Sequence, residues 1–143
     1  MKFQVIIDEN CEEKIVVYAK KISPLIRQLQ QLVEETSIDL TGYQGTKIVK
    51  LNPADIFCIT VIQNKVFALC RQGQFQLKQR LYVLEQALPE SFVKINQSCI
   101  ANIRNIAGFD ASISGTLKVR FQNGYTDYVS RRQLKSVKER LGI

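Results

Sequence analysis

Residues 92–102 read Phe92-Val93-Lys94-Ile95-Asn96-Gln97-Ser98-Cys99-Ile100-Ala101-Asn102. Phe92, Val93 and Ile95 have the apolar, partly β-branched character of a strand, which we place at about 92–95. Asn96-Gln97-Ser98 then interrupt the pattern before Ile100 and Ile103 resume it. Three consecutive hydrogen-bonding residues at the end of a strand make a polar tip on a rigid mount. Asn and Gln suit adenine N6 and N7, and Ser suits phosphate or a base edge. The same residue types also form loops that satisfy their own backbone. Taken alone, the tip reads first as a turn that satisfies its own backbone and only second as a binding element.

Upstream of this stretch, strands are expected at 46–51, 56–62 and 65–71, with a shorter one at 74–77. Asn52-Pro53-Ala54-Asp55 and Gln63-Asn64 supply the turns. Leu81, Leu84 and Leu88 recur at helical spacing, so 78–88 is read as a short helix stopped by Pro89. Downstream, strands are expected at 103–109, 115–122 and 125–129. Asn123-Gly124 between the last two is a strong signal for a two-residue hairpin.

The chain's last helix has legible ends. Ser130-x-x-Gln133 fits a capping box, Leu134, Val137 and Leu141 make a buried stripe, and Gly142 is a natural C-terminal stop. This places Arg131 and Arg132 in the first turn, where cations oppose the helix dipole at roughly 0.3–1 kcal/mol each. Arg can bind phosphate in bidentate fashion or read guanine O6 and N7. Ser130, Arg131 and Arg132, with Lys135 one turn on, are therefore candidate nucleic-acid contacts. The alternative is a solvated helix end, its arginines bonded to a carboxylate such as Asp127. Arg104, flanked by Asn102 and Asn105, is a further candidate contact beside two residues that also suit turns. Lys78, Arg80, Lys118 and Arg120 read as solvated faces that add to a general positive field.

The N-terminal part is different in style. The apolar runs 3–7 (FQVII) and 14–19 (KIVVYA), separated by polar residues, read as a hairpin. Ser23 and Pro24 then open a helix with Leu25, Ile26, Leu29, Leu32 and Val33 on one face. Residues 1–42 hold five basic and seven acidic side chains and net −2, whereas 43–143 hold 15 basic and six acidic and net +9. The expected organisation is thus a β-β-α unit over 1–42 and a basic, mainly β domain over 43–143. The overall class is α+β. A unit of about forty residues is too small to fold well alone, so it needs the rest of the chain or a second copy.

Composition narrows the chemistry. The chain of 143 residues carries a net charge of +7 and contains no His. That excludes Ser-His-Asp and Cys-His triads and imidazole-ligated metal. Cys11, Cys58, Cys70 and Cys99 are far apart, without a C-x-x-C, so neither a zinc site nor a disulfide framework is expected. No P-loop, no G-x-G-x-x-G and no carboxylate dyad is present, and we expect no enzyme and no cofactor. No apolar run approaches the ~18 residues of a membrane span. The N-terminus turns acidic too early for a signal peptide, which points to the cytoplasm.

Residues 92–102, followed by Ile106, Asn123-Gly124 and Val129-Ser130-Arg131-Arg132, together resemble the signature of the LytTR DNA-binding domain family. Leu81-x-x-Leu84-Glu85-x-x-Leu88 resembles the helix that precedes it, and the likeness covers about 44–143. The resemblance implies a mostly β fold whose loops enter successive major grooves of DNA, often at direct repeats. It implies base and phosphate contacts by Asn96, Gln97, Ser98, Arg131 and Arg132. Many members have His at the Asn96 position and an aromatic residue at the Cys99 position. About forty residues ahead of this part are too few for a phospho-acceptor receiver domain. The chain is similar instead to compact, receiver-less regulators that work beside an integral-membrane inhibitor. The N-terminal unit would then serve as a homodimer contact or inhibitor contact, and the partner of the basic part is double-stranded DNA. The reading from another class is a protein-interaction module whose basic surface does not read DNA sequence.

Overall fold

The computed structural model describes residues 2–12, 14–35 and 39–143. Its order is α1 (Pro24–Glu35), β1 (Leu40–Gln44), β2 (Lys47–Leu51), β3 (Ile56–Ile62), β4 (Lys65–Cys70), β5 (Gly73–Leu77) and α2 (Leu81–Ala87). Then come β6 (Phe92–Asn96), β7 (Cys99–Asn102), β8 (Ile106–Ala111), β9 (Leu117–Phe121), β10 (Thr126–Val129) and α3 (Arg131–Leu141). Single 3₁₀ turns at Pro53–Asp55 and Ile103–Asn105 lead into β3 and β8. The class is α+β, mainly β, as the sequence indicates.

All strand pairs are antiparallel. Seven strands form one sheet in the order β2-β1-β5-β4-β3-β7-β6, and β10-β9-β8 form a second. Strand β3 sits inside the large sheet, and Ile56 through Thr60 are all buried. This explains why IFCITVI reads as a continuous apolar run rather than an alternation, since both faces of the strand are covered. On one face Ile56, Ile59, Ala68, Phe75 and Ile100 pack with Leu84 and Leu88 of the α2 region. On the other, Cys58, Val93, Ile95 and Cys99 meet Val119 and Phe121 of β9 and Val137 of α3. The layers are therefore α2, the large sheet, and then the small sheet with α3.

Turn chemistry holds the strands in register. Gln63 and Asn64 adopt φ of 51° and 64°, the left-handed pair of a tight hairpin between Ile62 and Lys65. The Asn123-Gly124 turn is longer than the expected two residues. Gly124 N–H donates to Phe121 O, and Phe121 N–H to Tyr125 O, with only Gly124 at positive φ. That is a turn closed by a glycine bulge. Asn102 and Asn105 are buried polar residues with structural partners. Asn102 Nδ2 donates to Ile56 O at 2.9 Å and Pro53 O at 3.3 Å. Asn105 Nδ2 donates to Ile56 O at 2.8 Å and Ala54 O at 2.9 Å. Together they clamp the two 3₁₀ turns against each other.

Several expectations change. Residues 2–7 and 14–19 form no strand and are exposed, although the turn between them is present as Asn10 N–H to Asp8 Oδ1 and Cys11 N–H to Asp8 O. A two-stranded hairpin outside both core clusters, with only α1 beside it, is marginal in water. Second, β1 spans the expected boundary at 42/43. It belongs to the large sheet, with Leu40 buried and paired to Leu51. Third, β7 occupies 99–102, ahead of the strand expected at 103–109, and the α2 helix is shorter than 78–88 because Arg80 is in the β region.

Candidate nucleic-acid interface

The β6–β7 hairpin ends in Gln97 and Ser98, and Asn96 is its last strand residue. The Asn96 amide is spent on holding this tip. Its Nδ2 donates to Tyr128 O at 2.8 Å and to Asp127 Oδ1 at 3.1 Å, and its Oδ1 accepts from Ser98 N–H at 2.8 Å. From the other side, Ser98 O accepts from Val61 N–H at 2.9 Å. The tip is thus tied to β3 and to β10, while the Gln97 and Ser98 side chains remain exposed.

Helix α3 starts beside it. Ser130 is the N-cap, with Oγ accepting from Gln133 N–H at 3.3 Å. The expected reciprocal half of the capping box is replaced by a long-range bond, in which Ser130 N–H donates to Ile95 O at 2.8 Å. That bond fixes the first turn of α3 one residue from Asn96. Gly142, at φ 69°, closes the helix in the left-handed conformation, and Ile143 N–H reaches back to Lys138 O.

The fold brings Asn96, Gln97, Ser98, Ser130, Arg131 and Arg132 to one end of the molecule, with Lys135 one helical turn further on. Arg131, Arg132 and Lys135 are exposed. Among the described residues they make no ion pair, and the Asp127 carboxylate is engaged by Asn96 and by Tyr128 N–H instead. Two guanidiniums without a carboxylate partner, on a helix end that disfavours them, form an anion-seeking patch.

Arg104 is not part of this patch. It lies on the 3₁₀ turn before β8, where its Nη2 donates to Gln31 Oε1 of α1 at 3.0 Å. It lines a cleft of about 520 Å³ with Arg27, Ser136, Glu139 and Arg140, whose guanidinium donates to Glu90 O. Sequence reasoning missed Val61 and Tyr128 as supports of the tip, and it assigned Asp127 to the arginines rather than to Asn96. Each acts across more than thirty positions or through a main-chain atom, so no local pattern announces it.

Two buried thiols, Cys70 and Cys99, are held in the protonated form. Burial pushes the Cys70 thiol up to about 12, with Asp55 and Cys58 adding to the shift. The hydrogen bond with Cys58, and then burial, raise Cys99 well above the ordinary thiol range. Burial likewise raises the Tyr125 phenol.

A β fold presenting a basic helix start beside a polar hairpin tip defines the class of protein as a nucleic-acid binder. The model of the LytTr DNA-binding domain matches residues 46–142, and the chain belongs to that family. It is similar over its full length, at 34% identity, to an HTH-type transcriptional regulator of Staphylococcus aureus (strain NCTC 8325 / PS 47), covering 99% of it. A counterpart in strain MSSA476 is 33% identical with the same coverage. The fold matches the LytTr DNA-binding domain of a methyl-accepting/DNA response regulator from Bacillus cereus, with a TM-score of 0.70 and 19% identity. That match covers 73% of this chain and 97% of the other. Among the described residues no two helices are consecutive in the chain, so the DNA-binding fold here contains no helix-turn-helix pair. No helix among them is long and apolar enough to cross a membrane.

Proposed function

We propose that this protein is a sequence-specific transcriptional regulator that binds repeated half-sites in duplex DNA as a homodimer, with Gln97, Ser98, Arg131 and Arg132 reading or gripping the major groove. The observation that carries the reading is the pair of unpartnered arginines held beside the hairpin tip by the Ser130–Ile95 bond. The names of the S. aureus relatives support transcriptional control. Asn96 enters as the residue that positions the tip, because both of its amide hydrogens are already donated within the protein. Ser130 and Lys135 fit phosphate contacts, one through the capped helix start and one through a point charge. Arg104 lies away from the patch and is left out of the DNA contact set.

The test is binding to DNA from the region upstream of the protein's own gene, measured by fluorescence anisotropy across a salt series. Arg132→Ala should weaken binding by about 1–3 kcal/mol, roughly 10–100-fold, and relax sequence preference. Lys118→Ala should lower affinity for all sequences alike and reduce the salt slope by about one. If Arg132→Ala binds like the parent protein at every salt concentration, the assignment of the patch is wrong.

A further inference from the structure

The apolar residues of the first 33 positions belong to neither core cluster. Phe3, Ile7 and Tyr18 are each more than 90% exposed, and Ile6 is 77% exposed. Ile15 and Val17 line an apolar crevice of about 300 Å³ with Ile26, Leu29 and Val33 of α1, so the odd-numbered side of this segment faces the helix. Residues 14–19 form no strand, although their composition is that of one. Such a segment with unpaired backbone is a template for pairing with another chain.

Charge and area identify the occupant. The segment carries Glu12 at one end and Lys20 at the other. Antiparallel pairing with an identical segment, with Val16 on the two-fold axis, sets Glu12 opposite the partner's Lys20 at both ends. It also sets Ile15 opposite the partner's Val17. In antiparallel pairs, directly opposed side chains share a face, so both α1 helices then cover the same face of the ribbon. The neighbouring register, centred between Val16 and Val17, would put them on opposite faces. Ile15, Val16, Val17 and Tyr18, with Leu25, Leu32 and Val33 of α1, are 42–95% exposed and offer roughly 700 Å² of apolar surface per chain, close to the ~800 Å² per partner of a stable interface. Residues 1–42 net −2, which disfavours DNA as the cover, while the body at +9 repels its own copy.

We propose that residues 14–19 and the apolar face of α1 form the homodimer interface, as an antiparallel two-chain ribbon centred on Val16. The inference rests on the homodimer reading above and supplies its surface. It also gives residues 14–19, which form no strand in a single chain, a partner strand in the other copy.

The test is sedimentation equilibrium of the full chain without DNA, with anisotropy on a single half-site run in parallel. The parent protein should sediment at twice the 16.4 kDa chain mass. Val16→Pro and Val17→Pro change N–H groups that point to opposite edges of the strand, so one of the two removes a ladder donor facing the partner and should raise the dissociation constant roughly tenfold or more. Glu12→Lys and Lys20→Glu should each do the same by opposing like charges twice per dimer. The double variant E12K/K20E should restore the parent value within about threefold. A monomer at all concentrations would overturn both this inference and the homodimer reading, and would assign the apolar face to a different protein. A dimer unaffected by either proline variant would overturn the surface and leave the homodimer reading in place. Single charge variants that weaken the dimer with no rescue in the double would overturn the antiparallel register. Half-site binding that stays unchanged throughout separates all of these from failure of the DNA-binding reading.

Discussion

Replacing Asn96 by Ala removes three hydrogen bonds in one step: two donated by Nδ2, at 2.8 and 3.1 Å, and one accepted by Oδ1 at 2.8 Å. Asp127 keeps its bond from Tyr128 N–H, so that carboxylate is not orphaned. Tyr128 O and Ser98 N–H lose their partners but can reach water, because the site is half-buried. At about 0.5–1 kcal/mol for each such bond, the loss is about 1–3 kcal/mol. That corresponds to a fall in Tm of roughly 4–10 °C for a domain of this size. Differential scanning fluorimetry should show this fall, and affinity for a cognate half-site should drop about tenfold because Gln97 and Ser98 lose their fixed position. Gln97→Ala, on an exposed side chain, should lower affinity with Tm unchanged. Asn96→Asp should be worse than Ala, because it sets a second carboxylate against Asp127. If Asn96→Ala keeps the parent Tm and yet loses DNA binding, the amide acts on DNA and the positioning argument is refuted.

Three further outcomes follow from the packing. Gly42→Ala would bring a Cβ to 2.8 Å from Leu51 Cδ1 and from Phe75 Cβ, so urea unfolding should show a loss of about 1–3 kcal/mol. Asn102→Ala leaves buried acceptors at Ile56 and Pro53 without that donor and frees Arg104 N–H. Chemical denaturation should report about 2–4 kcal/mol, with DNA affinity of the remaining folded protein little changed. Of the four thiols, only exposed Cys11 should react with a maleimide at pH 8 in the native protein. Cys58, Cys70 and Cys99 should react only on unfolding, and fast native labelling of a second site would contradict the buried core.

How much of this was legible depended on the range of the interactions involved. The continuous run at 56–62, the left-handed Gln63-Asn64 pair, the Ser130 cap and the Gly142 stop are local physics, and each lies where the residues indicate. Strand β7 was missed because Cys99–Asn102 is only four residues long and follows a polar triple, so periodicity had nothing to count. Strand β1 was missed because Gly42 looks like a break, when its missing side chain is what lets β1 pack on Leu51 and Phe75. The hairpin at the N-terminus was expected from composition that is real, but in a single chain it has only α1 beside it and joins neither core cluster.

The same division runs through the interface. Residue types placed Asn96-Gln97-Ser98 and Arg131-Arg132 among the candidates, but no sequence pattern could separate the residues that hold from the residues that reach. Asn96 sits 31 positions from Asp127 and 32 from Tyr128, and only the folded sheet brings them together. An asparagine here does with two amide hydrogens what an imidazole could do only in part, since an imidazole has at most one hydrogen on each ring nitrogen. Both Nδ2 hydrogens leave from one atom toward Asp127 Oδ1 and Tyr128 O, and Oδ1 still accepts from Ser98. A ring cannot reproduce that three-way geometry without moving the turn. Asn96→His should therefore shift the tip, and the sequence preference read by Gln97 and Ser98 should change with it more than overall affinity does.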